Sequence, residues 1–348
     1  MSHRSARKRR KHSKNGFKKY FLIAFLFGFF GLFLGFYSFY KQFSQSYISA
    51  DSVGAEDFKD QDFYAIVLVG ASETFGKEPF LIEKVKLLLV SKSSTSFLVY
   101  DIPTNTIIDM PGKYGEEELR STFILGSLSS VDSANSCADE CFNEGLAYIK
   151  LAVQKLAGVR IDRVAVVEPE LYDFIEKLFV NAEAIRILDV AKVKCLRDSM
   201  KTDFRFSDFL HFYTVVRGFS PTDIKHKSFT RTDEIDSSIK QISYNSRIAK
   251  EKSSIAILNG VRMPGVASQA ARAVQNLGGF VVSVDNSMDP SERTYLIASD
   301  PNSQTAKYIA GYWGLREVYS KSDLDLDEPV LDRADIVLIL GLDNISKY

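Results

Sequence analysis

The sequence predicts an α/β protein carried on one N-terminal transmembrane helix, and three observations predict it. Short apolar runs bounded by Gly, Ser and Pro alternate with segments of helical spacing, the pattern of buried strands covered by helices. A polar stretch at 225–253 divides that pattern into two α/β units. Ahead of both, Tyr20 to Tyr40 is 21 residues without a charge, eight of them Phe.

Length and composition bound the class. The chain has 348 residues, 45% of them hydrophobic and 25% charged, which excludes wholesale disorder, a collagen and a multi-span membrane protein. The length suits roughly two domains of about 150 residues each. The 44 basic and 44 acidic side chains cancel, but their distribution is lopsided. Nine basic groups and no acid lie in residues 1–19, so the remainder holds 35 basic against 44 acidic groups, a net of −9.

The apolar run spans roughly 31 Å at about 1.5 Å per residue, the thickness of a bilayer's hydrocarbon core. Tyr20, Tyr37 and Tyr40 stand at its ends, where interfacial aromatics belong. By the positive-inside rule the arm 1–19 stays in the cytoplasm, the helix 20–40 spans the plasma membrane once, and everything after Lys41 faces outward. The competing reading is a cleaved signal peptide, with Ile48-Ser49-Ala50 as a weak cleavage candidate, but its apolar region runs only about 7–15 residues. Beside a membrane span, the basic arm sets orientation and touches anionic headgroups; nucleic acid is not expected as a partner.

Residues 41–62 are polar and read as a stalk, and 63–224 as the first α/β domain. Its strands are expected at Ala65–Gly70, Val85–Val90, Phe97–Ile102 and Val164–Val167. Helices are expected over Asn143–Leu156, from Leu171 to Leu178 and over Ser207–Val216, with Ser127–Asn135 as a loop. The polar residues 225–253 read as a linker. The second domain, 254–348, opens with the strand Ile255–Leu258, the turn Asn259-Gly260 and a helix Val266–Leu277 started by Pro264-Gly265. Strands at Phe280–Val284, Tyr295–Ala298 and Asp335–Gly341, and a helix at Ala306–Trp313, complete it.

Most chemistry-bearing motifs fail on inspection. Gly260-x-x-x-x-Gly265 follows a strand and opens a helix, yet Val266-Ala267 stands where a phosphate loop needs Lys-Ser/Thr. Asp323, Asp325 and Asp327 have calcium-loop spacing, but Glu328 and Ala334 replace the required Gly and Glu. His211 and His226 are 15 apart with no cysteine pair between them, so neither a zinc site nor a Ser-His-Asp triad is indicated. Cys137 and Cys141 are candidates for one disulfide on the outward side if their segment is a loop, whereas an i, i+4 pair on a regular helix is poorly placed to bridge.

The second domain resembles the LytR C-terminal domain of bacterial envelope proteins. The resemblance rests on Ile255-Ala-Ile-Leu-Asn-Gly260, Pro264-Gly265-Val-Ala267, Leu277-Gly-Gly-Phe-Val-Val282, Arg293-Thr-Tyr-Leu-Ile297 and Ile336-Val-Leu-Ile-Leu-Gly-Leu-Asp343. The first domain resembles the catalytic domain of the LytR–CpsA–Psr (LCP) family. It does so through Ile66-Val-Leu-Val-Gly70, Phe97-Leu-Val-Tyr-Asp-Ile-Pro-Thr-Asn-Thr106, Ile108-Asp-Met-Pro-Gly112, Leu156-Ala-Gly-Val-Arg-Ile-Asp162 and Asp203-Phe-Arg-Phe-Ser-Asp-Phe-Leu210. The resemblance implies an LCP-like α/β domain that transfers glycopolymers from a polyprenyl pyrophosphate carrier to the cell wall, with arginines on the pyrophosphate and a carboxylate-held magnesium ion.

The departures bear on that chemistry. Where the family has Ile-Pro-Arg-Asp, this chain has Ile102-Pro103-Thr104-Asn105, and the family's upstream Arg-x-Asp has no counterpart at 81–86. A hydroxyl and an amide hydrogen-bond but do not neutralise a pyrophosphate, whose natural clamp is bidentate Arg. Thr104, Asn105, Arg120 and Arg163 are the candidate ligand-binding residues. Lys84 and Lys86 join the two arginines as relocated positive charge, against the alternative that all four cations are scattered solvated groups.

The expected function is a single-pass cell-envelope protein acting as a non-catalytic or degenerate LCP-like module. It binds wall polymer, polyprenyl-linked glycan or a partner protein, without a cofactor. The alternative is an active divergent transferase, the one reading that brings in magnesium.

Overall fold

The computed structural model describes residues 63–75, 80–110, 114–129, 138–180, 199–204, 206–229, 232–243, 245–323 and 328–343, with Phe30 and Tyr37 before them. The expected arm, stalk and most of the apolar run lie outside these residues. Among the described residues no helix is long and apolar enough to cross a membrane.

Thirteen strands are described, and the first domain's sheet is built around β1 (Phe63–Ala71), whose residues after Phe63 are all buried. A run with no charged side chain and every residue after the first buried has no face to give to water, so it takes a central place. The sheet order is β7-β6-β1-β2-β3-β8, with β2 at Ile82–Ser91, β3 at Ser96–Ile102, β6 at Arg163–Val167, β7 at Met200–Thr202 and β8 at Ile224–Ser228. β2 runs antiparallel to β1 and β3, while β6 is parallel to β1 and β8 parallel to β3. A small hairpin, β4 (Ile107–Met110) with β5 (Gly115–Glu118), follows β3.

Strand alternation sends neighbouring residues into two different cores. Ala65, Val67, Val69, Leu87, Leu89 and Tyr100 pack against α1 (Thr122–Ser129) and α2 (Ala138–Ala157). Tyr64, Ile66, Leu68, Leu88 and Val99 pack on the other face, against α3 (Pro169–Val180) and α4 (Phe206–Val216). The result is a helix–sheet–helix domain, the mixed α/β class expected.

The segment 225–253 is not a linker. Its first residues form β8, which closes the sheet in register from Phe97 opposite Ile224 to Asp101 opposite Ser228. α5 (Thr232–Ser243) follows and delivers Ile235, Ile239 and Ile242 to the first core, and α6 (Ser246–Glu251) leads to the second domain. β8 reads as polar because it is an edge strand, exposed from Lys225 to Ser228. The 4 and 3 spacing of the isoleucines is the helical signal that marks α5. Ser127 to Ser129, expected in a loop, form the last residues of α1.

The second sheet has the order β10-β9-β13-β11-β12, from β9 (Ser254–Asn259), β10 (Phe280–Asn286), β11 (Tyr295–Ala298), β12 (Tyr319–Ser320) and β13 (Ile336–Leu340). α7 (Val266–Asn276) and α8 (Gln304–Trp313) cover one face through Ala270, Val274, Ala306, Ile309 and Trp313. Val330 and Leu331, in the turn Pro329–Asp332, pack on the other. Gly265 caps α7 at φ 83, a left-handed conformation that Gly adopts without penalty.

Two arginines join the domains. Arg272 of α7 donates to the Asp236 carboxylate at 2.7–3.0 Å and to the carbonyls of Lys155 and Leu156 at 2.9 and 3.0 Å. Those carbonyls end α2 and have no partner within the helix, so a cation there satisfies both the hydrogen bonds and the helix dipole. Arg160 reaches the other way, to the carbonyl of Gly311 at 2.6 Å.

Candidate functional site

Strand direction locates the site. β1, β3, β6 and β8 all run the same way, so Ala71, Ile102, Val167 and Ser228 end on one edge of the sheet, beside the start of β2. In open α/β sheets that carboxyl edge is where ligands bind. Thr104 and Asn105 form the turn immediately after β3, closed by the Thr106 amide donating to the Pro103 carbonyl at 3.0 Å. The Arg120 amide donates to the Thr104 carbonyl at 2.8 Å. Three of the four candidate residues therefore meet at the expected edge.

Arg163 does not join them. It opens β6, at the opposite end of the strand, and lies level with Ile66, Leu88 and Val99. With strands about 4.8 Å apart, that places it three strands, or roughly 14 Å, to the side of β3. Its guanidinium is buried and already spent: Nε and Nη2 donate to Asp208 at 3.1 and 2.8 Å, and Nη1 donates to the Asp162 carbonyl at 2.8 Å. Arg163, expected among the ligand-binding residues, thus stands apart from the other three, with its guanidinium held by the chain itself.

Of the cations that reach the edge, Lys84, Lys86 and Arg120 are matched by carboxylates, while Lys201 lies against aromatic rings. On the face toward α3, β2 changes from Val90 and Leu88 to Lys86 and Lys84, and α3 presents Tyr172, Asp173 and Glu176 to them. Lys86 pairs with Asp101 directly across β3 and with Glu176 at 3.2 Å. Lys84 pairs with Asp173 at 3.1 Å, its ammonium 4.8 Å from the Tyr172 ring centre. Arg120 pairs with Glu118. Lys201 of β7 lies 4.0 Å from the centre of the Phe142 ring, within cation–π range. The carboxylates that complete these pairs were not singled out from the sequence. Asp101 was legible only as a strand residue, and Glu176 arrives on a helix some 75 residues later.

These pairings shift titration. Burial acts to lower the Lys86 pKa, but hydrogen bonds to Asp101 and Glu176 outweigh it and hold the ammonium above its ordinary value. Burial, with Glu176, Asp101 and Asp173 nearby, pushes the Tyr172 hydroxyl up, and that oxygen has no hydrogen-bond partner among the described residues. A lysine pKa raised on folding contributes stability that is present below its unfolded value and lost as pH rises through the folded one. The thermal midpoint of the Lys86→Met variant is therefore expected to fall less than that of the wild type as pH rises beyond the ordinary lysine range. Parallel midpoints from pH 8 to 11.5 would contradict the pairing.

A cluster of phenylalanines lies beside this edge. Phe80 stacks on Phe123 with centroids 4.0 Å apart, and Phe142 meets Phe123 edge-on at 5.1 Å. Phe75 closes the group at 5.7 Å from Phe142. Where α7 meets α2 there is a crevice of about 30 Å³ lined by Gln154, Lys155, Gln269, Arg272 and Trp313. Pockets for small molecules run to about 300–1,000 Å³, so this space suits a water molecule or two rather than a lipid.

At the position of the family's Arg-Asp no carboxylate is offered to magnesium, and the nearby Asp101 and Glu176 are paired with Lys86. The ion's ligands are carboxylate and phosphate oxygens, whereas Thr104 and Asn105 offer a hydroxyl and an amide. Among the described residues no three His, Cys, Asp or Glu side chains gather into a metal-binding group. Cys141, in α2, is disulfide-bonded; Cys137 and Cys195 lie outside the described residues.

No curated protein matches the chain. Among solved structures it is similar to B. subtilis TagV, with 11% identity, a TM-score of 0.36, and 49% of this chain and 85% of that one covered. It is also similar to the LytR-CPS2A-psr family protein YwtF (TagT) with bound octaprenyl pyrophosphate lipid, at 10% identity and TM-score 0.34, covering 53% and 84%. A transcriptional regulator from Enterococcus faecalis aligns over 65% of this chain and 92% of its own, at 10% identity and TM-score 0.37. In sequence, residues 252–343, which hold the whole second sheet, match the family described as LytR cell envelope-related transcriptional attenuator.

Proposed function

We propose that the chain is a single-pass cell-envelope protein, anchored in the plasma membrane by residues 20–40, whose first domain keeps an LCP-type frame without transferase chemistry. It acts outside the cell as a binding or scaffold module for wall polymer, polyprenyl-linked glycan or a partner protein. The observation that carries this reading is the state of three cations at the sheet's carboxyl edge. Lys84, Lys86 and Arg120 each hold a carboxylate of the chain itself. A pyrophosphate needs unopposed positive charge and a metal in place before its transition state forms, and here it would have to displace Asp173, Asp101, Glu176 and Glu118. Thr104 and Asn105, at the position of the family's Arg-Asp, keep hydrogen-bonding capacity for a neutral polyol or amide. The basic arm and the uncharged run support the anchoring, and the family match of residues 252–343 supports the envelope setting.

The test is transfer. Full-length protein in detergent is expected to leave a polyprenyl pyrophosphate-linked glycan unattached to purified peptidoglycan, with and without magnesium. Magnesium-dependent attachment above the no-protein control would replace this reading with the alternative, a divergent glycopolymer transferase.

A further inference from the structure

Domains of one chain commonly move relative to each other, but here each holds a helix of its neighbour by the end. Arg272, in the second domain, donates to the last carbonyls of α2 in the first. Arg160, in the first, donates to the Gly311 and Tyr312 carbonyls at the end of α8 in the second, at 2.6 and 3.3 Å. Each domain thus lends a cation to the carboxyl end of a helix in the other, where carbonyls lack partners within the helix and the dipole is negative.

The chain between the domains is held as closely. α5 packs against both α2 and α7, and its Asp236 receives Nε and Nη2 of Arg272 in the forked geometry that favours arginine with a carboxylate. Ser243, the last residue of α5, donates to the Asn276 carbonyl at 2.8 Å, and the Asn245 amide donates to the Leu277 carbonyl at 3.1 Å. Glu251, at the end of α6, accepts the Gln304 and Thr305 amides at 2.8 Å and so caps the start of α8.

Gly158 shows how near the domains come. It follows α2 at φ 62, and a Cβ there would lie 2.7 Å from Nε of Arg272 and 3.0 Å from Nδ2 of Asn276. That guanidinium gives way only by breaking its bonds to Asp236, Lys155 and Leu156, so a side chain at 158 pushes α7 and α2 apart. Gly115 has a similar φ of 72 with nothing within 4 Å of a Cβ among the described residues.

We propose that the second domain is a built-in brace for α2 rather than a separately tethered module. α2 has 20 residues and is about 30 Å long. Arg272 pins one end. Toward the other, Phe142 meets Phe123 and Lys201 beside the carboxyl edge of the first sheet. Fixing one end of a stiff helix fixes the other, so the second domain sets the position of a helix that borders the candidate site. The two domains then unfold together, because neither keeps its helix ends satisfied without the other.

The experiment is urea unfolding of the full-length protein in detergent, followed by circular dichroism and by the fluorescence of Trp313, which is buried in the second domain. Phe123 lies in the first domain's core. Wild type is expected to give coincident midpoints, and Phe123→Ala to lower both by the same amount. In an Arg272→Ala background, Phe123→Ala is expected to lower the circular dichroism midpoint and leave the Trp313 midpoint in place. A Trp313 midpoint that ignores Phe123→Ala in the otherwise wild-type protein overturns the brace. One that still follows Phe123→Ala in the Arg272→Ala background overturns the role given to Arg272. Should Arg272→Ala not fold, the two glycines supply the test. Gly158→Ala is expected to lower both midpoints more than Gly115→Ala, which meets the same backbone penalty without the contact; equal shifts overturn the proposal.

Discussion

Replacing Arg163 by alanine is expected to lower the free energy of unfolding by about 3–5 kcal/mol, the range for removing one partner of a buried ion pair. Both side chains of the Arg163–Asp208 pair are more than nine-tenths buried, so the substitution removes two hydrogen bonds and an ion pair from the buried Asp208 carboxylate. It also removes the donor to the Asp162 carbonyl. Urea titrations of the full-length protein in detergent, followed by circular dichroism, measure the loss. Trp313, the only tryptophan, is buried in the second domain, and its fluorescence shows whether that domain unfolds with the first. An arginine held ready for a pyrophosphate gives the opposite pattern, with little change in stability and a loss of ligand affinity. A shift below about 1 kcal/mol would return Arg163 to the list of candidate ligands.

Phe123→Ala is expected to cost a similar amount, about 3–5 kcal/mol, because a large aromatic is removed from a packed site that relaxes only in part. Phe123 is fully buried and touches Phe80 and Phe142. The same titrations report it. The result bears on function as well as stability. If these phenylalanines lined a lipid pocket, the empty protein would tolerate truncation and lipid would raise its midpoint. If they are core, the cost appears without lipid, and benzene, filling the new void, restores part of it. A cost below about 1 kcal/mol would mean that the aromatic group is loosely packed and the interior is open.

Much of the fold was legible because burial leaves a mark on composition. Ala65 to Gly70 has no polar side chain, and only a strand covered on both faces accommodates such a run. The strands of the second domain and the turn at Asn259-Gly260 announce themselves in the same way. Residues 225–253 were misread for the converse reason. An edge strand faces water, so β8 shows neither alternation nor an apolar run. Its identity comes from the hydrogen bonds it makes to β3, a segment more than 120 residues earlier.

The site divides along the same line. The sequence by itself determined that Arg and Asp are missing from 104 and 105, and that a basic arm precedes a span-length apolar run, because both are statements about residue type and order. Which carboxylates face the remaining cations depends on where side chains meet, and only the tertiary structure decided that. Lys86 and Arg163 look alike in sequence, each a cation within a strand. Folding places Lys86 at the carboxyl edge between two acids and Arg163 at the far end of β6 in a buried ion pair. Coulomb interactions act through space and fall with distance, so the partners that neutralise these charges are set by chain topology, which spacing along the sequence does not encode.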